Sequence, residues 1–394
     1  MKKLRVAIVG TGFIGPVHAE AVRRNPELAE LVAIAGVSKE DAAEAAAKLN
    51  VPDFTDDYTE LLRRNDIDVV HICTPNYLHY PMVKECLNYG KNVLCEKPLA
   101  LTADEARELM QLAEKKGLKA AVNYNLRYYP MVQEMRCRNL DKLTGSVFAV
   151  QGSYLQDWLQ HDNDYSWRME SKLSGKSRAV ADIGTHWMDM AQYVTGLRIE
   201  RVFAQFGRMY DTRKKSAAGK DITFSKGSDR DTSDYISYTV DTEDYAQIML
   251  GFENGVIGNL TVSQVMAGYK NFMEFRQMGT KASLSWDSEA PNKIQIGHRD
   301  RPNEILLKDP SLLNERPASM SAFPGGHQEG YGDTIKYMIR EFYSDLLDLR
   351  VDGSWADYPT LADGTAEMVL CEAILESVQK NEWVEVKQVS KVVL

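Results

Sequence analysis

No stretch of this 394-residue chain approaches the run of about 20 apolar residues that crossing a bilayer requires. The first apolar run, Val6 to Val9, is too short for the core of a secretion signal, and no small-residue cleavage site precedes the glycines that follow it. A soluble, cytoplasmic protein is expected. Cysteine is scarce: Cys73, Cys86, Cys95, Cys137 and Cys371 are odd in number and form no CxxC or other metal-ligand pair. No metal site is expected, and Cys73 and Cys95, at the ends of apolar runs, read as buried reduced thiols. Excess positive charge is missing too. With 47 Lys and Arg against 56 Asp and Glu the net charge is −9, which opposes non-specific binding to nucleic acid or anionic membranes. Internal repeats and low-complexity tracts are absent. What remains, 44% hydrophobic and 26% charged, suits a globular protein with a large core and a length that favours two domains.

The first ~120 residues alternate apolar runs with amphipathic segments, the pattern of βαβ units and a parallel sheet. Buried strands are expected at 4–9, 31–37, 69–73, 92–95 and 119–122. Helices are expected from Ile14, over 40–49, 58–64 and 82–89, and after Pro98, where Thr102 and Glu105 form a capping box. Beyond residue 123 the order changes to helices, at 131–138 and 182–194, followed by strands from Arg201 to Ile305. Glu253-Asn254-Gly255 between two apolar segments predicts a hairpin. The polar segment 211–233 reads as a long surface loop, and two helices, 334–349 and 361–379, close the chain. The fold class is therefore α/β: a Rossmann doubly wound parallel sheet over 1–123, then an α+β domain with a large, mostly antiparallel sheet over 124–394. The last helix is able to pack back on the first domain.

Several motifs carry chemistry. Gly10-Thr11-Gly12-Phe13-Ile14-Gly15 follows the first strand and opens a helix. Glycines there permit a tight turn, close approach of backbone to a pyrophosphate and close helix–strand packing, while the helix start offers N–H groups to phosphate. The end of the second strand distinguishes NAD from NADP: an acid holds the adenosine ribose, a cation accepts a 2′-phosphate. Here Gly36-Val37-Ser38-Lys39 supplies no acid; Ser38 and Lys39 can take a phosphate, or Lys39 is a solvated residue of a helix start. Thr74-Pro75-Asn76 and Glu96-Lys97-Pro98 end the next expected strands, where Rossmann folds place ligand contacts. Lys97 at a cleft mouth is a candidate general acid/base, or an exposed loop lysine. Asp182 and His186, four apart on an expected helix, put a carboxylate beside an imidazole that it can orient; the alternative is a capping aspartate and a structural histidine.

Together these residues resemble the Gfo/Idh/MocA family of oxidoreductases, the glucose–fructose oxidoreductase and inositol dehydrogenase type, over nearly the whole chain. The resemblance implies a catalytic set of Lys97, Asp182 and His186, with a cis peptide between Lys97 and Pro98. Further stretches resemble the levoglucosan dehydrogenase-like branch, whose members oxidise pyranose rings: His71-x-x-Thr74-Pro75-Asn76-x-x-His79-Tyr80, Gln156-Asp157-Trp158-Leu159, Tyr165-Ser166-Trp167-Arg168 and Pro324-Gly325-Gly326-His327-x-Glu329-Gly330-Tyr331. By that resemblance Asn76, His79, Glu96, Trp167 and Arg168 join the cofactor contacts, and Asn123, Tyr124, Arg127 and His327 the sugar site. The branch also favours NAD, although the family's usual acid at the second strand is replaced by Gly36.

The activity implied is hydride transfer between a secondary hydroxyl of a pyranose, glycoside or polyol and NAD(P). Lys97 or His186 takes the hydroxyl proton, and Asp182 orients the site. Two rivals use the same fold: a glycosidase that oxidises C3 transiently on retained NAD, and a non-catalytic sugar or dinucleotide sensor. The sensor predicts loss of the lysine or histidine, and both are present. A one-sided antiparallel sheet in the second domain implies a homodimer or homotetramer.

Overall fold

The computed structural model describes residues 2–217, 235–349 and 357–389. The chain divides into two compact units, one of residues 1–129, 329–368 and 389–394, the other of residues 130–328 and 369–388.

In the first unit β1 (Leu4–Val9), α1 (Ile14–Arg23), β2 (Ala29–Ala35), α2 (Lys39–Lys48), β3 (Asp53–Thr55), α3 (Tyr58–Arg63), β4 (Val69–Ile72), α4 (His79–Asn88), β5 (Asn92–Cys95), α5 (Ala103–Lys116) and β6 (Ala120–Val122) follow in turn. The six strands form one parallel sheet in the order β3-β2-β1-β4-β5-β6. β4 is buried throughout and β5 almost so, as their unbroken apolar runs require when helices cover both faces. The sheet order reverses between β1 and β4, the point where such sheets bind ligands beyond their carboxyl ends. α5 starts in the expected capping box of Thr102 and Glu105 and stops at Gly117, left-handed at φ 64°.

The second unit opens with α6 (Pro130–Leu140), β7 (Val147–Leu155), the short α7 (Ser171–Ser174) and α8 (Thr185–Thr195), then β8 (Ile199–Gly207), β9 (Thr212–Ser216) and β10 (Tyr235–Thr239). β11 (Tyr245–Phe252), β12 (Ile257–Ser263), β13 (Phe272–Gly279), β14 (Ser283–Asp287), β15 (Lys293–Gly297), β16 (Glu304–Leu307) and α9 (Glu315–Ser319) follow. α10 (Tyr331–Leu346) belongs to the first unit and lies against α1, α11 (Leu361–Lys380) passes from the first unit into the second, and β17 (Val384–Glu385) adds an edge strand to the second. Nine strands make one sheet, β16-β15-β14-β13-β7-β12-β11-β8-β17, antiparallel except for the β7–β12 pair. Its inner face packs on α6 and α8. Asn254 and Gly255 both take positive φ, 61° and 75°, the geometry that joins β11 to β12 with the twist of a hairpin.

One expectation is corrected. Residues 212–216, read as part of a surface loop, form β9, paired antiparallel with β10. The polar composition hid it: Arg213, the charge that argued for solvent, is fully buried on Asp244 and on the carbonyls of Leu159 and His161. Residues 218–233 of that expected loop lie outside the described residues. No described helix is long and apolar enough to cross a membrane.

Candidate active site

The glycine turn after β1 shows why each glycine stands where it does. A Cβ on Gly10 would fall 2.5 Å from the carbonyl oxygen of Cys73, and one on Gly15 would fall 2.2 Å from that of Gly10, so both are dictated by backbone packing. Gly12 is different: nothing lies within 4 Å of where its Cβ would be. Steric exclusion by the protein does not explain it, whereas close approach of a pyrophosphate does. Phe13 stands exposed at the start of α1, and no side chain caps that helix. An open glycine before a helix start without a side-chain cap is what a dinucleotide needs, and the residues present fit NAD.

Around this turn the carboxyl ends of β4, β5 and β6 assemble the other expected residues of the first unit. His79 joins two of the loops, its Nδ1 2.6 Å from the carbonyl of Pro98 and its Nε2 2.8 Å from that of Thr74. Burial pushes its pKa down against the pull of those carbonyls. Pro75 precedes a turn of 3-10 helix from Asn76 to Leu78, in which Asn76 is buried. The Lys97–Pro98 peptide is cis, as expected. Lys97 is half-buried and its backbone N–H donates to Glu96 Oε2 at 3.3 Å. Asn123 donates its amide to Glu96 Oε1. Tyr124 is fully buried, and Arg127 pairs with Asp363 at 3.0 Å.

Behind Lys97 runs a chain of buried groups that the motifs do not announce. His18 Nε2 lies 2.9 Å from Glu96 Oε1, His18 Nδ1 3.0 Å from His71 Nδ1, and His71 Nε2 2.8 Å from the Tyr343 hydroxyl. Burial raises the Glu96 pKa, but the hydrogen bond and charge of His18, then Lys97 and the Asn123 amide, outweigh it and bring it to about 2. Burial holds His71 neutral and keeps the Tyr343 proton in place. With Glu96 ionised, His18 Nε2 carries a proton. That proton makes His18 the donor to Glu96, and the chain continues through the His18–His71 and His71–Tyr343 contacts. The cysteines play no part, since burial, then Glu96, pushes the Cys73 and Cys95 thiols far up.

In the second unit a π-helical turn, Val180–Gly184, leads into α8 and carries Asp182, four residues before His186. Such turns are rare and concentrate at functional sites. Its start is clamped by Glu243, a buried carboxylate whose oxygens accept from the backbone N–H of Arg178 at 3.0 Å and of Val180 at 2.9 Å, and from the Ser177 hydroxyl at 2.8 Å. Asp182 is held from two sides, by the Gln264 amide at 2.8 Å and by the Arg168 guanidinium at 3.6 Å. The same guanidinium lies over the Trp167 ring, 4.5 Å from its centre. His186 is buried, its ring 6.4 Å from that of Tyr154. Arg168, Trp167, Asp182 and His186 are thus assembled within one unit. His327 is not part of this cluster: it is exposed and its side chain meets its own loop, stacking on Phe323 and reaching the carbonyl of Gly325. Ser38 is engaged as the cap of α2, accepting from Asp41 N at 3.2 Å, and Lys39 is exposed.

Sequence reasoning missed His18, Tyr343, Gln264 and Glu243. A signal existed for His18, which stands three residues past the last glycine on the helix that the motif opens. None existed for Tyr343 or Gln264, whose partners are 272 and 82 residues away.

An open glycine turn at the switch point of a parallel sheet defines a dinucleotide-binding domain of the Rossmann type. The chain belongs to the Gfo/Idh/MocA family: residues 4–124 match the family's NAD-binding Rossmann fold and residues 132–285 its C-terminal domain. Levoglucosan dehydrogenase of Pseudarthrobacter phenanthrenivorans is 29% identical over 99% of this chain and all of its own. D-glucoside 3-dehydrogenase of Escherichia coli is 32% identical over 49% of this chain and 54% of its own. A levoglucosan dehydrogenase solved with NADH and levoglucosan has a TM-score of 0.86 at 27% identity, covering 98% of this chain and all of that one.

Proposed function

We propose that this protein oxidises a secondary hydroxyl of a pyranose, glycoside or polyol, with the first unit binding the cofactor and the second carrying further sugar contacts and the oligomer interface. The observation that carries this reading is the placement, at the carboxyl ends of β1 and β5 on either side of β4, of the open Gly12 turn and of Lys97, whose backbone is tied to a buried, ionised Glu96. The names of the relatives support the substrate class. When bound, NAD supplies the hydride acceptor. Lys97 or His186 takes the hydroxyl proton as the carbon is oxidised. Asp182, fixed by Gln264 and Arg168, holds a second hydroxyl and orients the sugar. Asn123, Tyr124 and His327 contribute sugar contacts.

The test is Lys97→Met, assayed with NAD over a panel of pyranosides and inositols. NADH binding should persist while hydride transfer falls by at least a hundredfold, on the order expected for loss of a general acid/base. Normal turnover in the variant would remove Lys97 from the mechanism. Glycoside cleavage by the wild-type enzyme with no net NADH would point to the redox-cycling glycosidase instead.

We also infer a homodimer or homotetramer. Phe148, Met249, Ile257, Ile305 and Leu307 stand exposed on strands of the large sheet, an apolar set that a second copy would cover. Five free cysteines, four of them buried, support a cytoplasmic location.

A further inference from the structure

The acid that dinucleotide-binding folds place at the end of the second strand is absent here, and Gly36 stands in its stead. The room is nevertheless filled by a carboxylate. A Cβ on residue 36 would lie 2.4 Å from Oδ2 of Asp41 and 2.8 Å from the backbone N of Ala42. A side chain at 36 and the Asp41 carboxylate are therefore mutually exclusive, and glycine is what admits the latter. Asp41 sits in the first turn of α2 and leans back toward the glycine turn. Its Oδ2 accepts from the Thr11 hydroxyl at 2.6 Å and from the backbone N–H of Val37 at 3.1 Å. Thr11 lies inside Gly10-Thr11-Gly12, so the carboxylate is tied directly to the turn that meets the pyrophosphate. With Oδ2 doubly engaged, the direction of the group is set. Its other oxygen, Oδ1, has no hydrogen-bond partner among the described residues.

We propose that Asp41 selects NAD over NADP, Oδ1 accepting from a hydroxyl of the adenosine ribose and the carboxylate charge excluding a 2′-phosphate. The function ordinarily supplied from the strand end is supplied from the following helix. A fixed anion one sugar away from the pyrophosphate turn suits a neutral diol, which can donate to it, and opposes a phosphate, which cannot. Ser38, a candidate phosphate ligand by sequence, is occupied in capping α2, its Oγ accepting from Asp41 N.

The test is a fluorescence titration of the purified protein, without sugar, by NADH and by NADPH, so the result does not depend on the substrate or on Lys97. The wild type should bind NADH on the order of a hundredfold tighter, the combined effect of a hydrogen bond to a charged acceptor and the repulsion of a phosphate. Asp41→Asn keeps the shape and the acceptor for Thr11 while removing the charge. It should bring NADPH binding up by about tenfold. Asp41→Ser should also weaken NADH and leave the two cofactors within about threefold of each other. Thermal unfolding of both variants checks that the fold is retained. Equal binding of the two cofactors by the wild type, or an unchanged preference in folded Asp41→Asn and Asp41→Ser, would overturn the assignment. So would a loss of NADPH binding in Lys39→Ala alone, which would give the role to that lysine.

Discussion

Replacing Glu96 by glutamine changes the shape of the site least and its electrostatics most. The amide oxygen can still accept from His18, so what is removed is one buried charge that the fold has arranged to stabilise. An ordinary glutamate titrates at 4.5; this one is brought to about 2. That difference of about 2.5 units corresponds to roughly 3 kcal/mol of stability at neutral pH. The sign follows from the direction. A carboxylate whose folded pKa is depressed contributes fully above its unfolded value of 4.5, and the contribution fades as pH falls toward about 2. Glu96→Gln should therefore be less stable than the wild type by roughly 3 kcal/mol at pH 7 and at pH 6 alike. By pH 3.5, one unit below the unfolded pKa, the gap should narrow by about 1.4 kcal/mol. Acid destabilisation from other carboxylates is common to both proteins and cancels in the difference. The assay is pulsed hydrogen exchange of peptides covering β4 and β5 across a urea series at each pH, which reads the unit in which Glu96 sits. A gap that does not change between pH 7 and pH 3.5, or no gap at pH 7, would refute the argument that the charge is what the surroundings stabilise.

The glycine turn makes a paired prediction: Gly12→Val should leave the unfolding midpoint within a degree or two, about the scatter of a surface change, yet abolish NADH binding measured by fluorescence, whereas Gly15→Ala should lower the midpoint itself, because its Cβ has only 2.2 Å to the Gly10 carbonyl. For the large sheet, sedimentation should find a dimer or tetramer, and Ile257→Glu with Phe148→Glu should shift it toward monomer while the catalytic groups stay intact; a monomeric wild type would remove the proposed interface.

Much of the framework was legible because it rests on local rules. Apolar runs of four to six residues separated by amphipathic segments specify a parallel sheet; Thr102 with Glu105 specifies a helix start, and Asn254-Gly255 a hairpin, each through neighbours in sequence. The glycine turn and Lys97-Pro98 were legible for the same reason, since a motif is a local constraint. What could not be read was long-range pairing of polar groups. Arg213 reads as solvated until Asp244 is seen beside it, and so β9 reads as loop. Asp182 and His186 could be paired by their spacing, but not the Gln264 amide or the Glu243 clamp that fix them, because nothing in the sequence marks which glutamine or glutamate turns inward. Asp41 is an intermediate case: the acid is five residues along the chain from the expected place, and only the van der Waals conflict at Gly36 shows that its carboxylate fills the room of the missing side chain.

The chain from Tyr343 through His71 and His18 to Glu96 also bears on how this sequence can drift. Each member is correct only given the state of the next, so the positions do not evolve independently. Loss of the Tyr343 hydroxyl alone would leave a buried imidazole nitrogen without its partner, whereas exchanging Tyr343 and His71 together for apolar residues of similar bulk would leave fewer polar atoms stranded. Two positions 272 residues apart thus inherit a single constraint, and a substitution tolerated in one lineage becomes harmful in another that has kept the opposite partner.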